Sequence, residues 1–144
     1  MRGKVVSINI SENKGTIKKP VEEAVVIDNY GIKGDAHAGA HWHIQISLLS
    51  VESIEKMRTK GLTLNFGDFA ENITTEGIDL LSLPLGTKLQ VGECILELTQ
   101  HGKKCHGKCE IFKIVGDCIM PREGVFAKVL KGGKIKVGDK IDRL

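Results

Sequence analysis

Apolar positions along the chain come in short runs, separated by polar stretches rich in glycine, which is the pattern of many short strands joined by tight turns. Near the start, Val5, Ser7 and Asn9 alternate with Val6, Ile8 and Ile10. This predicts a strand with two distinct faces, ended by the turn-forming run Ser11-Glu12-Asn13-Lys14-Gly15. Residues 24–27 and 44–49 read as further strands. Ser50 then offers an N-cap, and the spacing predicts a helix of about ten residues ended near Gly61, with Glu52–Lys56 and Glu55–Arg58 at ion-pair distance along it.

The second half contains an internal echo. Residues 88–95 (KLQVGECI) and 134–141 (KIKVGDKI) both read K-[LI]-x-V-G-[ED]-x-I. Each predicts a strand, a tight glycine turn and a second strand. The match is shorter than a repeat unit of roughly 20 residues, so it reads as hairpin grammar rather than duplication. Residues 125–130 followed by Lys131-Gly132-Gly133-Lys134 predict one more hairpin. The expected class is mostly β with one or two short helices, a barrel or sandwich, in a single domain over residues 1–144.

Composition narrows the functions. A chain of 144 residues is long enough to bury one core without disulfides or a structural metal. Its net charge of +3 and its few aromatics (four Phe, one Trp, one Tyr) argue against a phosphate-backbone or base-stacking surface, so no nucleic-acid partner is expected. No apolar run approaches the roughly 18 residues of a membrane span, and the first residues are too briefly apolar for a signal peptide. The expected location is cytoplasmic, without a membrane partner. In that reducing setting Cys94, Cys105, Cys109 and Cys118 are thiols or metal ligands rather than disulfides.

The densest chemistry is His101-Gly102-Lys103-Lys104-Cys105-His106-Gly107-Lys108-Cys109. Its cations favour thiolate over thiol, which makes Cys105 the nucleophile candidate, while the lysines and glycine amides suit an anionic group such as a phosphate. A solvated loop with ordinary thiols is the competing reading. Metal binding by Cys105, His106 and Cys109 is another, though the spacing is not that of a zinc knuckle. Cys94 and Cys118 read as core thiols. A second cluster runs from Gly34 to His43, with Asp35, His37, His41 and His43 among small residues. It suits a metal or an oxyanion, or equally a glycine-rich turn with paired, buried histidines. Asn72, Thr74 and Thr75 offer neutral hydrogen bonds, and Arg122 offers a planar cation suited to phosphate or carboxylate. No P-loop, G-x-G-x-x-G, H-E-x-x-H or G-x-S-x-G is present.

The ordered set Gly34-Asp35-Ala36-His37-Ala38-Gly39, residues 43–50 (HIQISLLS) and residues 69–80 (FAENITTEGIDL) resembles the MOSC domain. That module is named for the C-terminal region of molybdenum cofactor sulfurases. Leu83-Pro84-Leu85-Gly86, Lys104-Cys105, residues 122–126 (REGVF) and Gly138-Asp139 continue the likeness over nearly the whole chain. The resemblance implies a MOSC-type β-barrel, binding of the molybdenum cofactor (molybdopterin), and Cys105 as a persulfide carrier or molybdenum-ligating thiolate. By the same resemblance Asp35, His43, Asn72, Thr74, Lys104 and Arg122 surround the cofactor. Many relatives place a proline between the lysine and cysteine that adjoin here as Lys104-Cys105, and Cys109 supplies a second thiol nearby. Larger relatives carry an aminotransferase-like domain that this chain lacks. The implied partners are therefore a separate sulfur donor, such as a cysteine desulfurase, and a recipient molybdoenzyme or cofactor-biosynthesis protein. Two alternatives remain open. One is a molybdenum-dependent reductase of N-hydroxylated compounds; the other is a non-enzymatic module holding zinc between the 37–43 and 105–109 loops.

Overall fold

The computed structural model describes residues 2–14, 16–40, 42–102 and 118–144. Seven strands close into a mixed barrel. They are β1 (Arg2–Ile10), β5 (Ile46–Ser50), β6 (Ile73–Glu76), β7 (Lys88–Val91), β8 (Cys94–His101), β9 (Val125–Lys131) and β11 (Lys140–Arg143). The ring runs β1-β6-β5-β9-β8-β7-β11 and returns to β1 through the pairs Arg2↔Asp142 to Lys4↔Lys140. β2 (Lys19–Val21) extends the sheet beside the end of β1, while β3 (Glu23–Ile27), β4 (Gly31–Ile32) and β10 (Gly133–Lys136) form a separate three-stranded sheet. The buried side of that sheet, Ala24, Val26, Ile32 and Ile135, joins the barrel's core cluster with Ile8, Leu48, Leu89 and Leu96.

Among the described residues only β5 and β6 run parallel, and a parallel pair needs a crossover. Helix α1 (Val51–Arg58) begins that crossover. Ser50 caps it, its hydroxyl accepting from the Ser53 amide at 3.1 Å. Ile54 and Met57 face a second cluster with Leu49, Phe69 and Phe126, each such burial contributing roughly 1.5–3 kcal/mol. Glu55 pairs with Arg58 as its spacing predicts. Lys56 instead reaches Glu123 on the four-residue helix α2 (Met120–Glu123) at 3.0 Å, and Glu52 accepts from the Gly77 amide at 3.0 Å. The tertiary partners outcompete the i,i+4 neighbour expected from the sequence.

Three local expectations change. Strict alternation along β1 breaks at a bulge between Val5 and Ser7 in its pairing with β6. The extra residue changes the parity of the strand, so Val5 and Ile8 both enter the core, and Ser7 and Asn9 become buried polar groups. The first echo segment is the β7–β8 hairpin, but the second is not a hairpin: β10 pairs with β3, and β11 with β7 and β1. Likewise Gly132 and Gly133 do not close a β9–β10 hairpin. They carry the chain out of the barrel into the small sheet.

Candidate functional site

Two layers of buried polar groups lie beside the bulged strand. In the first, Asn72 is wholly buried and ties three strands together. Its Oδ1 accepts from the Ser47 amide at 2.9 Å, its Nδ2 donates to the Asn9 carbonyl at 3.2 Å, and its own amide donates to Ser47 Oγ at 2.9 Å. Thr74 donates to Glu71 Oε2 at 2.9 Å and accepts from Asn9 Nδ2 at 3.2 Å. Glu71 also accepts from the Gly67 amide, while its Oε1 and the hydroxyl of Thr75 have no hydrogen-bond partner among the described residues. Burial pushes the Glu71 carboxyl up to about 7, against the opposing pull of those hydrogen bonds.

The second layer is a buried ion pair. Lys18 and Asp35 have fully buried side chains, with Nζ 2.7 Å from Oδ1. Lys18 Nζ also lies 3.1 Å from Ser11 Oγ and 3.0 Å from His37 Nδ1, and the remaining Asp35 oxygen accepts from the His37 amide at 3.1 Å. Burial works to raise the Asp35 carboxyl, but the Lys18 hydrogen bond and charge, with the Ser11 and His37 amides, hold it below its ordinary value. Gly67 makes this layer possible. With φ at +90° it accepts the Lys18 amide on its carbonyl at 2.7 Å, and a Cβ there would run into the Lys18 carbonyl oxygen.

Both layers back onto a cleft of ≈ 190 Å³. Lys14, His37 and Ser47 form its polar side, Phe69, Met120 and Phe126 its apolar wall, and the half-exposed Trp42 its rim. Ala70 also lines it and has φ at +63°, a left-handed conformation that costs a residue with a Cβ about 1–2 kcal/mol. The volume suits a phosphate or one edge of a flat heterocycle, and is smaller than the roughly 300 Å³ or more of a cavity that engulfs a ligand.

Of the residues singled out in the sequence, Asp35 stands behind the cleft and holds the backbone and, through Lys18, the ring of His37. His43 is exposed, stacks at a tilt on Trp42 with ring centroids 4.5 Å apart, and donates from Nε2 to Gln100 Oε1 at 3.0 Å. Asn72 and Thr74 spend their hydrogen bonds inside the barrel wall. Arg122 is exposed on α2, two residues from Met120. Cys94 is a core thiol, its pKa raised to about 11 by burial and by the charges of Glu93, Asp139 and Asp28. Cys118 is half-buried against the Phe69–Phe126 cluster. Lys104, Cys105, His106 and Cys109 lie outside the described residues, as does His41. The two ends of the thiol segment are nevertheless fixed. At one end the Gly102 amide donates to the Gly124 carbonyl at 2.6 Å; with φ at +64°, a Cβ there would strike the Pro121 carbonyl. At the other end, Cys118 sits in the cluster whose Met120 and Phe126 form the cleft wall.

Sequence reasoning passes over Lys14, Lys18 and Ala70. Lys18-Lys19-Pro20 has the signature of a solvated turn, and nothing local marks Lys18 as interior. Glu71 carries a faint signal as a lone charge within the otherwise uncharged run Phe69-Ala70-Glu71-Asn72-Ile73.

The model of the MOSC domain matches residues 33–142. Among solved structures, the YuaD protein from Bacillus subtilis superimposes with a TM-score of 0.80 at 20% identity, over 98% of this chain and 94% of that one. YiiM from Escherichia coli gives 0.72 at 16% identity, covering 100% of this chain and 70% of its own. YiiM from Geobacillus stearothermophilus gives 0.73 at 19%, covering 99% and 75%. At these identities the likeness establishes the fold. No curated protein matches the chain.

Proposed function

Because the chain belongs to the MOSC domain family, whose members are associated with molybdenum cofactor proteins, we propose that it binds that cofactor or its pterin precursor and handles sulfur through Cys105. The observation that supports this reading is where the two described ends of the Cys105-bearing segment are anchored: Gly102 bonds to Gly124, and Cys118 packs in the cluster of Met120 and Phe126, which line the cleft with Lys14 and His37.

The residues fit the group. An anionic phosphate matches the Lys14 and His37 edge, and a flat heterocycle matches the wall of Phe69, Met120 and Phe126. When bound, the cofactor supplies a soft, thiophilic metal. The chain's own chemistry is that of a thiolate. Cys105 Sγ attacks the terminal sulfur of a donor persulfide, a new S–S bond forms, the donor's S–S bond breaks, and the donor leaves as its thiolate. This transfer is redox-neutral and needs no external oxidant. Lys103, Lys104 and Lys108 favour the attacking thiolate. The partners of this reading are a persulfide donor and an acceptor that takes the sulfur or the cofactor onward.

The test is elemental and persulfide analysis of protein purified anaerobically from a host that makes the cofactor, with Cys105→Ser alongside. Molybdenum or sulfane sulfur near one per chain, lost in the variant, is the expected result. Full retention in the variant, or zinc in place of both, overturns the assignment.

A further inference from the structure

An ammonium group has three protons and no lone pair, so every close polar neighbour of Lys18 Nζ must accept from it. Three such neighbours lie among the described residues: Asp35 Oδ1 at 2.7 Å, His37 Nδ1 at 3.0 Å and Ser11 Oγ at 3.1 Å. In a neutral ring, an Nδ1 lone pair turned to the Lys18 ammonium leaves the ring proton on Nε2. Asp35 alone would bias the ring the other way, since its Oδ2 lies 3.9 Å from Nδ1 and would attract a proton there. The carboxylate instead binds the His37 amide and the ammonium, and its depressed pKa keeps it ionised for both tasks. Neither Lys18 nor Asp35 has any exposed side-chain surface, whereas His37 is a quarter exposed and lines the cleft beside Lys14.

We propose that the buried Lys18–Asp35 pair is a tautomer lock, which fixes His37 in its Nε2–H form so that the cleft offers a neutral, oriented N–H donor to an anionic oxygen such as that of a phosphate group. The ligand class rests on the cofactor reading above; the lock itself does not. Lys18 and Asp35 are positioning residues in this scheme, and His37 is the contact.

The test uses the ligand-free chain labelled with ¹⁵N-histidine, with His37 signals identified by their loss in His37→Gln. At neutral pH the two-bond couplings are expected to show a neutral ring protonated at Nε2. A ring protonated at Nδ1, or at both nitrogens, overturns the lock whatever the variants do. In Lys18→Met/Asp35→Asn, which removes both charges together, the pattern is expected to shift to a mixture of tautomers; an unchanged pattern in the folded double variant also overturns it. Inorganic phosphate added to the unaltered chain is expected to move the Nε2–H resonance selectively, and no movement overturns the ligand class. A locked, phosphate-responsive chain that never retains molybdenum or sulfur would sink the cofactor reading alone.

Discussion

Glu71 has no solvent contact, and one of its oxygens lacks a partner among the described residues, so its charged form is costly to keep inside. Its pKa is raised from 4.5 to about 7 by burial. A group whose folded-state pKa is raised contributes stability that is complete below the unfolded pKa and disappears as pH climbs through the folded one. The protein should therefore lose roughly 3 kcal/mol between pH 4.5 and 7 from this side chain, following 1.36 kcal/mol per unit. Denaturant unfolding across that range checks the slope, and Glu71→Gln should flatten it. Asp35 behaves oppositely: its pKa is lowered, so its contribution persists at neutral pH and fades only as acid takes the pH down through that lowered value. At the neighbouring position, Ala70→Gly relieves a left-handed Cβ and should raise stability by about 1 kcal/mol, read as a higher melting temperature. A lower melting temperature would mean that Ala70 packing outweighs its backbone strain.

Elements here are joined by polar staples as much as by ladders. Asn72 links β1, β5 and β6, and Asn72→Ala leaves the Ser47 amide and the Asn9 carbonyl without their buried partner. The expected cost is roughly 2–4 kcal/mol in chemical denaturation. A loss below about 1 kcal/mol would show that water or rearrangement replaces the staple. The start of α1 and its Glu55–Arg58 pair are legible in the sequence because capping and i,i+3 contacts are local. The alternation of β1 is legible too, but its bulge is not, since the register is chosen by β6 some 70 residues away. Repeated K-x-x-V-G grammar predicts two hairpins where one exists, because partner choice belongs to the sheet and not to the segment. At the site, the family motifs single out Asp35 and Asn72. They do not show that Asn72 serves the wall, or that a lysine from a turn-like run neutralises Asp35, because both depend on contacts distant in the chain.

Across the whole molecule, the barrel and the cleft have distinct supports. The core of Ile8, Leu48, Leu89 and Leu96 lies within the ring, and the cleft stands on the second cluster under α1 with Phe69 and Phe126. Among the described residues no helix is long and apolar enough to cross a membrane. The chain's first and last strands meet to finish the ring, with β11 held on one side by β1 and on the other by β7. A closed sheet exposes no row of unpaired backbone donors and acceptors. Deleting residues 140–144 would create two such rows at once, along β1 and β7, each a template for strands of another molecule. Size-exclusion chromatography of that truncation should show self-association; a folded monomer would mean that β2 and the small sheet suffice to shield the opened edges. The short strand of residues 140–143 thus covers two backbone edges at once, one on each of the strands it joins.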